Sequence, residues 1–183
     1  MECRIGIVGS AGTGKSGLGR MIAARLDVPF LAAKDITRQI LENEKYDWGS
    51  GVYVERFLAR KECQDQILRG TVAQQEKHES FVTDRTSIDL AAYAIAELRD
   101  ETEKVNEIVA VCRGYAETYT HLLLCPWGVV PLEGNGIRTI DPWYQFTIHS
   151  LMLGVLDEWG IPHGVVRGRG EERLSEAMQI LGL

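Results

Sequence analysis

Ile5-Gly6-Ile7-Val8-Gly9-Ser10-Ala11-Gly12-Thr13-Gly14-Lys15-Ser16 is the stretch on which the reading of this chain turns. Its first four residues form a short, largely β-branched apolar run, the pattern of a buried strand. The next eight satisfy G-x-x-x-x-G-K-[ST] at every fixed position. Glycines let the backbone turn its N–H groups inward and form a concave nest for phosphate oxygens. From Lys15 onward, Leu18, Met21, Ile22 and Leu26 recur at spacings of three and four. A helix therefore starts there and adds its positive end to the same place. Strand, glycine turn and helix in that order suit the tail of a nucleoside triphosphate such as ATP. Gly9, Ser10, Ala11, Gly12, Thr13, Gly14, Lys15 and Ser16, with Leu18, are the expected nucleotide contacts. Lys15 is expected to reach the β- and γ-phosphates, and the Ser16 hydroxyl to ligate Mg²⁺.

Composition bounds the rest. The 183 residues are 45% apolar and 25% charged, with 20 Lys+Arg against 26 Asp+Glu. This is a globular mix, long enough for one domain with a sizeable core, and the whole of 1–183 is read as a single domain. A net charge of −6 disfavours a DNA partner, because neutralising a phosphate backbone needs a basic face. The apolar run after Met1-Glu2-Cys3-Arg4 is too short for a signal peptide or a membrane span, so a cytoplasmic protein is expected. Cys3, Cys63, Cys112 and Cys125 lack close or CxxC spacing and read as reduced, mostly buried thiols. The four histidines have no ligand spacing.

Apolar runs alternate with helical stretches along the chain, the pattern of helices around a parallel sheet. Strands are expected at 28–31, 80–83, 121–125 and 164–166. Helices are expected at 35–44, 52–75, 105–117, 142–159 and 171–181, and another carries Ile88, Ala91, Ala92, Ile95 and Leu98. Pro126 to Asp141 holds three glycines and reads as a loop able to act as a lid.

The class of chemistry can be narrowed. The guanine-reading Asn-Lys-x-Asp is absent after the fourth strand. The third strand ends Thr83-Asp84-Arg85, without the paired acids of an ATPase motor. Asp84 is a candidate catalytic and Mg²⁺-holding carboxylate, and Arg85 a candidate for substrate or phosphate. Asp35 follows the second strand's carboxyl end, where open α/β sheets place ligands, and is a candidate base for a hydroxyl acceptor. Arg138, in the lid segment, can swing onto the γ-phosphate as closure expels water. Tyr46 to Tyr53, with Trp48, offers aromatic faces for a flat heterocycle. Arg56, Arg60 and Gln64 share a helix face with Tyr53, at spacings of three and four. Trp127, Trp143 and Tyr144 border the lid.

Asp84-Arg85-Thr86-Ser87-Ile88-Asp89-Leu90-Ala91-Ala92-Tyr93 resembles the Asp-Arg block of thymidylate and deoxynucleoside kinases. It is closer still to the ATP-binding family that includes NadR-type ribosylnicotinamide kinase domains. Asp35-Ile36-Thr37-Arg38 is similar to that family's acidic-x-x-Arg block, with Asp and Thr where Glu and Ala are usual. Gly134-Asn135-Gly136-Ile137-Arg138-Thr139 resembles its lid segment, with Asn135 in place of an acid. Gly168 to Arg173 resembles the adenine-side loop of small P-loop kinases, which makes Arg169 and Arg173 candidates to stack on adenine.

The resemblance implies a three-layer α/β P-loop NTPase fold. Its five-stranded parallel sheet, in order 2-3-1-4-5, carries helices on both faces, and a lid spans roughly 126–141. It implies an ATP- and Mg²⁺-dependent phosphotransferase acting on a nucleoside- or nucleotide-like small molecule, in the manner of nucleoside and deoxynucleoside monophosphate kinases, with Asp35, Arg38, Trp48, Tyr53, Arg56, Arg60 and Arg85 around the acceptor. A kinase of modified bases in DNA and a regulatory ATPase module are the alternatives. Beyond nucleotide and acceptor, a second copy of the chain is a candidate partner, and a membrane is not.

Overall fold

Why the chain folds as it does starts with β1 (Arg4–Val8), whose alternation sends side chains to two different cores. The computed structural model describes residues 2–49, 54–131 and 141–183, apart from the side chains of Glu55 and Arg56. Ile5 and Ile7 face one layer, where α1 (Lys15–Leu26) and α8 (Gly170–Leu181) supply Leu18, Ile22, Ala177 and Leu181. Val8 faces the other layer, built by α2 (Ala33–Asn43), α4 (Lys61–Gln75), α5 (Ser87–Glu97), α6 (Thr102–Ala116) and α7 (Pro142–Glu158). Each fully buried Ile or Leu here contributes about 1.5–3 kcal/mol relative to exposure.

The sheet joins β1 to β2 (Phe30–Leu31), β3 (Phe81–Thr83), β4 (His121–Leu124) and β5 (Gly164–Val165). All pairings are parallel and the order is β2-β3-β1-β4-β5, as the sequence led one to expect. Ile5 is in register with Val82 on one side and His121 on the other. The order changes direction at β1, so the ligand crevice lies at the carboxyl ends of β1 and β3.

Three element boundaries depart from expectation. The helix predicted over 52–75 is two helices, α3 (Val54–Leu58) and α4, because Arg60 is extended at φ −63°, ψ 144°. The interruption leaves its polar groups satisfied: Arg60 Nε donates to the Phe57 carbonyl (3.1 Å) and Gln64 Nε2 to the Leu58 carbonyl (2.7 Å). α2 starts at Ala33, two residues before the expected Asp35, with the Ala33 N–H donating to Asp84 Oδ1 at 2.7 Å. α6 starts at Thr102 and absorbs part of the charge cluster read as a solvated connection. The expected lid falls largely on residues 132–140, outside the described residues. No described helix is long and apolar enough to cross a membrane. The four cysteines are free, and burial pushes the Cys112 thiol up to about 12.

Candidate active site

The loop between β1 and α1 takes the conformation its glycines permit. Gly12 and Gly14 have φ of 83° and 80°, a left-handed backbone that side chains with a Cβ rarely adopt. Thr13 is buried and its hydroxyl donates to the Ser10 carbonyl at 2.9 Å, closing the turn. Lys15 folds back over the loop, donating from Nζ to the carbonyls of Gly9 and, at 2.9 Å, Ser10. Its Nζ also lies 3.9 Å from Asp89 Oδ1. Burial lowers the Lys15 ammonium and raises the Asp89 carboxyl from their ordinary values. An anionic phosphate beside Lys15 would restore the charge that burial disfavours.

Asp89 itself is held by a capping box at the start of α5. Its Oδ2 accepts from the Thr86 N–H (3.1 Å) and hydroxyl, and its Oδ1 from the Gly9 N–H at 3.4 Å. One carboxylate thus ties the phosphate loop to the turn after β3. That turn presents Asp84, whose Oδ2 accepts from the Ser16 hydroxyl. A fixed network lies under it. Gln75 Nε2 donates to the Arg85 carbonyl (3.0 Å), and the Tyr119 hydroxyl donates to Gln75 Oε1 (2.9 Å) while accepting from the Ser87 N–H (3.2 Å). Burial pushes the Tyr119 phenol well above its ordinary value, so this hydroxyl stays protonated. Thr83 Oγ1 donates to the Leu31 carbonyl at 3.0 Å, locking β3 to β2 beside the same turn.

A cavity of about 1010 Å³ opens from the phosphate loop. Ala11 through Gly17 form one end, with Asp84, Arg85 and Asp89 beside them. α2 contributes Lys34, Thr37, Arg38, Leu41 and Glu42, continued by Lys45: one helix face at spacings of three and four. Tyr46 and Trp48 add an aromatic wall, their rings edge-to-face at 5.0 Å, and Tyr93, Glu97 and Tyr144 close the far side. The Tyr144 hydroxyl donates to Glu97.

Of the residues the sequence nominated, Ala11 to Ser16, Arg38, Trp48, Asp84 and Arg85 line this one cavity. Gly9 and Ser10 stand behind it as the carbonyls that hold Lys15. Others stand elsewhere. Leu18 is 1% exposed in the core and offers a nucleotide no surface. Asp35 is exposed on the solvent edge of α2 and does not line the cavity. Arg60 stacks over Phe57 (3.8 Å from the ring centroid) and pairs with Glu44 at 3.5 Å, away from the cavity, because the helix break moved it off the expected face. Gln64 lines the cavity, with its amide N–H committed to Leu58.

Arg173 is 4% exposed and its Nη1 lies 2.5 Å from the point where a Gly14 Cβ would stand. It packs behind the phosphate loop and presents no open face for stacking. Arg169 is exposed and donates to the Val129 carbonyl at 2.6 Å, tying α8 to the segment before 132–140. Trp127 and Trp143 pack with Phe146 in an aromatic cluster outside the cavity. Tyr53, Arg138 and the Arg56 side chain lie outside the described residues. The sequence reading missed Lys34, Glu42, Lys45 and Glu97. It quoted Asp89 and Tyr93 without giving them roles. The Thr86-x-x-Asp89 spacing was the available signal for Asp89, and the polar i, i+3/i+4 series of α2 for the others.

A glycine phosphate loop at the switch point of a parallel five-stranded sheet defines a P-loop α/β nucleotide-binding domain. The chain belongs to the AAA domain family, whose sequence model matches residues 4–173. No curated protein matches it in sequence. Among solved structures it is similar to a NadR protein in complex with NR, with a TM-score of 0.72, 16% identity, and coverage of 100% of this chain and 52% of that chain. A NadR protein in complex with NAD and AMP-PNP gives 0.62 and 16%, covering 100% and 50%. A deoxyadenosine kinase from M. mycoides with bound dATP gives 0.63 and 16%, covering 98% and 99%. The chain thus spans about half the length of the NadR proteins it resembles, and at these identities the fold is what is shared.

Proposed function

We propose that the chain is an ATP-dependent phosphotransferase acting on a nucleoside- or nucleotide-like small molecule. The observation that carries the reading is the continuity of one cavity, about 1010 Å³, from the phosphate loop to the aromatic and charged wall beyond it. A module that only bound and hydrolysed ATP would not need that second chamber. The volume is at the top of the range for small-molecule sites and leaves room for an acceptor beside a triphosphate tail. The two kinds of neighbour, NadR proteins and a deoxyadenosine kinase, support the same class.

Phosphoryl transfer asks for position and charge neutralisation. The inward amides of the loop and Lys15 would grip the β- and γ-phosphates, releasing Lys15 from the loop carbonyls. Ser16 Oγ and Asp84 Oδ2 meet beside the loop, and this pair of hard oxygens fits Mg²⁺, which takes few protein ligands and completes its shell with water and phosphate. Ser16 and Asp84 would hold that ion, whose charge would offset the negative charge of the phosphates. Arg85 lines the cavity beside Asp84 at the end of β3 and would meet the transferred group. Arg169 anchors the segment leading to the lid.

Purified chain incubated with ATP and Mg²⁺ should release ADP faster when an acceptor from a panel of nucleosides and nucleotides is added. ADP release that no acceptor accelerates, and that Lys15→Ala leaves unchanged, would overturn the proposal.

A further inference from the structure

The cavity is polarised along its length. α2 begins where Ala33 meets Asp84, so its first turns lie beside the phosphate loop and its last turn lies far from it. Lys34 and Arg38 project from those first turns, and Arg85 follows Asp84 at the strand end. Among the described residues none of these three cations has a carboxylate within ion-pair distance. Among the described residues, the carboxylates at this end are already hydrogen-bonded or ion-paired: Asp84 to Ser16 and Ala33, Asp89 to Thr86, Gly9 and Lys15. Glu42 stands about 12 Å beyond Lys34 and about 6 Å beyond Arg38 along α2, and Glu97 about 12 Å beyond Asp89 along α5, at 1.5 Å per residue. The reacting end of the acceptor chamber is therefore cationic, while its far end carries both signs, Glu42 and Glu97 with Lys45.

A neutral hydroxyl acceptor must lose a proton as it attacks, which calls for a carboxylate at the reacting end. The residue expected to serve, Asp35, is exposed and off the cavity. A phosphate monoester has its second pKa at about 6 and is already deprotonated at neutral pH. It needs cations instead, to hold one anion against another, and a planar guanidinium suits phosphate oxygens.

We infer that the acceptor is a nucleoside monophosphate, converted to the diphosphate, rather than a neutral nucleoside; this rests on the phosphotransferase reading above. Lys34, Arg38 and Arg85 hold the acceptor phosphate, and Glu42 and Glu97 accept from the far end of the nucleoside. An oxygen of the acceptor phosphate bonds to the γ-phosphorus as the bond from that phosphorus to the β,γ-bridging oxygen breaks. The electron pair leaves with ADP, and the dianionic acceptor gives up no proton.

The test runs nucleosides and their matching monophosphates in parallel with ATP and Mg²⁺, separating products by ion-exchange chromatography. Diphosphate formed from at least one monophosphate, with its nucleoside inert, is the expected result. Arg38 is exposed, so Arg38→Gln keeps the fold. It should raise KM for the monophosphate roughly tenfold to hundredfold with KM for ATP unchanged. Lys34→Gln should show the same split more weakly. Monophosphate made from nucleosides, with nucleotides inert, overturns this inference and leaves the phosphotransferase reading standing. An unchanged monophosphate KM in Arg38→Gln overturns it too. ADP release that neither panel accelerates overturns both.

Discussion

Replacing Arg173 with methionine should make the ligand-free protein more stable. Arg173 is 4% exposed, and its Nε and Nη2 are buried without a hydrogen-bond partner. Among the described residues no carboxylate stands within ion-pair distance of it. A buried donor left unsatisfied costs about 1–3 kcal/mol, and here there are two on one charged group. Methionine keeps an unbranched stem, so most of the apolar packing survives. Set against the lost Nη1 contacts, the net gain is about 1–3 kcal/mol, within the range seen when apolar groups replace buried ionic ones. For a chain of this size that raises Tm by roughly 2–12 °C. Urea titration with an unchanged m-value, checked by calorimetry, reads it directly. Arg173→Lys, which keeps the charge and loses the planar fork, should fall below wild type. ATP affinity should weaken several-fold in Arg173→Met, because a cation behind the phosphate loop is lost. A loss of more than about 1 kcal/mol in Arg173→Met would refute the reasoning, since it would mean the fold needs the guanidinium.

Three further outcomes follow from the same geometry. Tyr119→Phe strands Gln75 Oε1 and the Ser87 N–H, and should lower stability by about 1–3 kcal/mol in urea titration; a wild-type midpoint would contradict the buried network. Asp65 is held below its ordinary 3.8 chiefly by its hydrogen bond from Lys104 (2.7 Å), so its stabilisation is full above that pH and lost as pH falls through the lowered folded value. Lys104→Met should therefore lose about 0.5–1 kcal/mol at pH 7 and little at pH 2, and an equal loss at both would count against the pair. Asp84→Asn should raise the Mg²⁺ concentration for half-maximal turnover at least tenfold, and an unchanged requirement would remove Asp84 from the metal's ligands.

What the sequence disclosed was what is local. The strand, loop and helix from Ile5 to Leu26 are dictated by residues adjacent in the chain, and the parallel sheet follows from alternating apolar runs. The break at Ala59-Arg60 carries no glycine or proline, and its polar groups are satisfied by Gln64 and by Arg60 itself. Nothing in a linear pattern marks such a break. Its effect was to turn Arg60 off the cavity, which the face of α2 lines instead. Asp35 and Lys34 differ by one position and about 100° around that helix, and only the site of the first turn decides which lines the cavity. Arg173 and Leu18 show the converse: their residue types suit a ligand or a surface contact, while packing of α8 on α1 and of α1 on the sheet buries them.

Calorimetric titration of Mg·ATP into the purified chain, set beside Lys15→Ala, probes the grip on the triphosphate from which all else follows. The account predicts saturable binding by the wild-type chain and at least hundredfold weaker binding by the variant, with both equally folded by circular dichroism. Equal uptake by the two proteins, or none by the wild type, would contradict it.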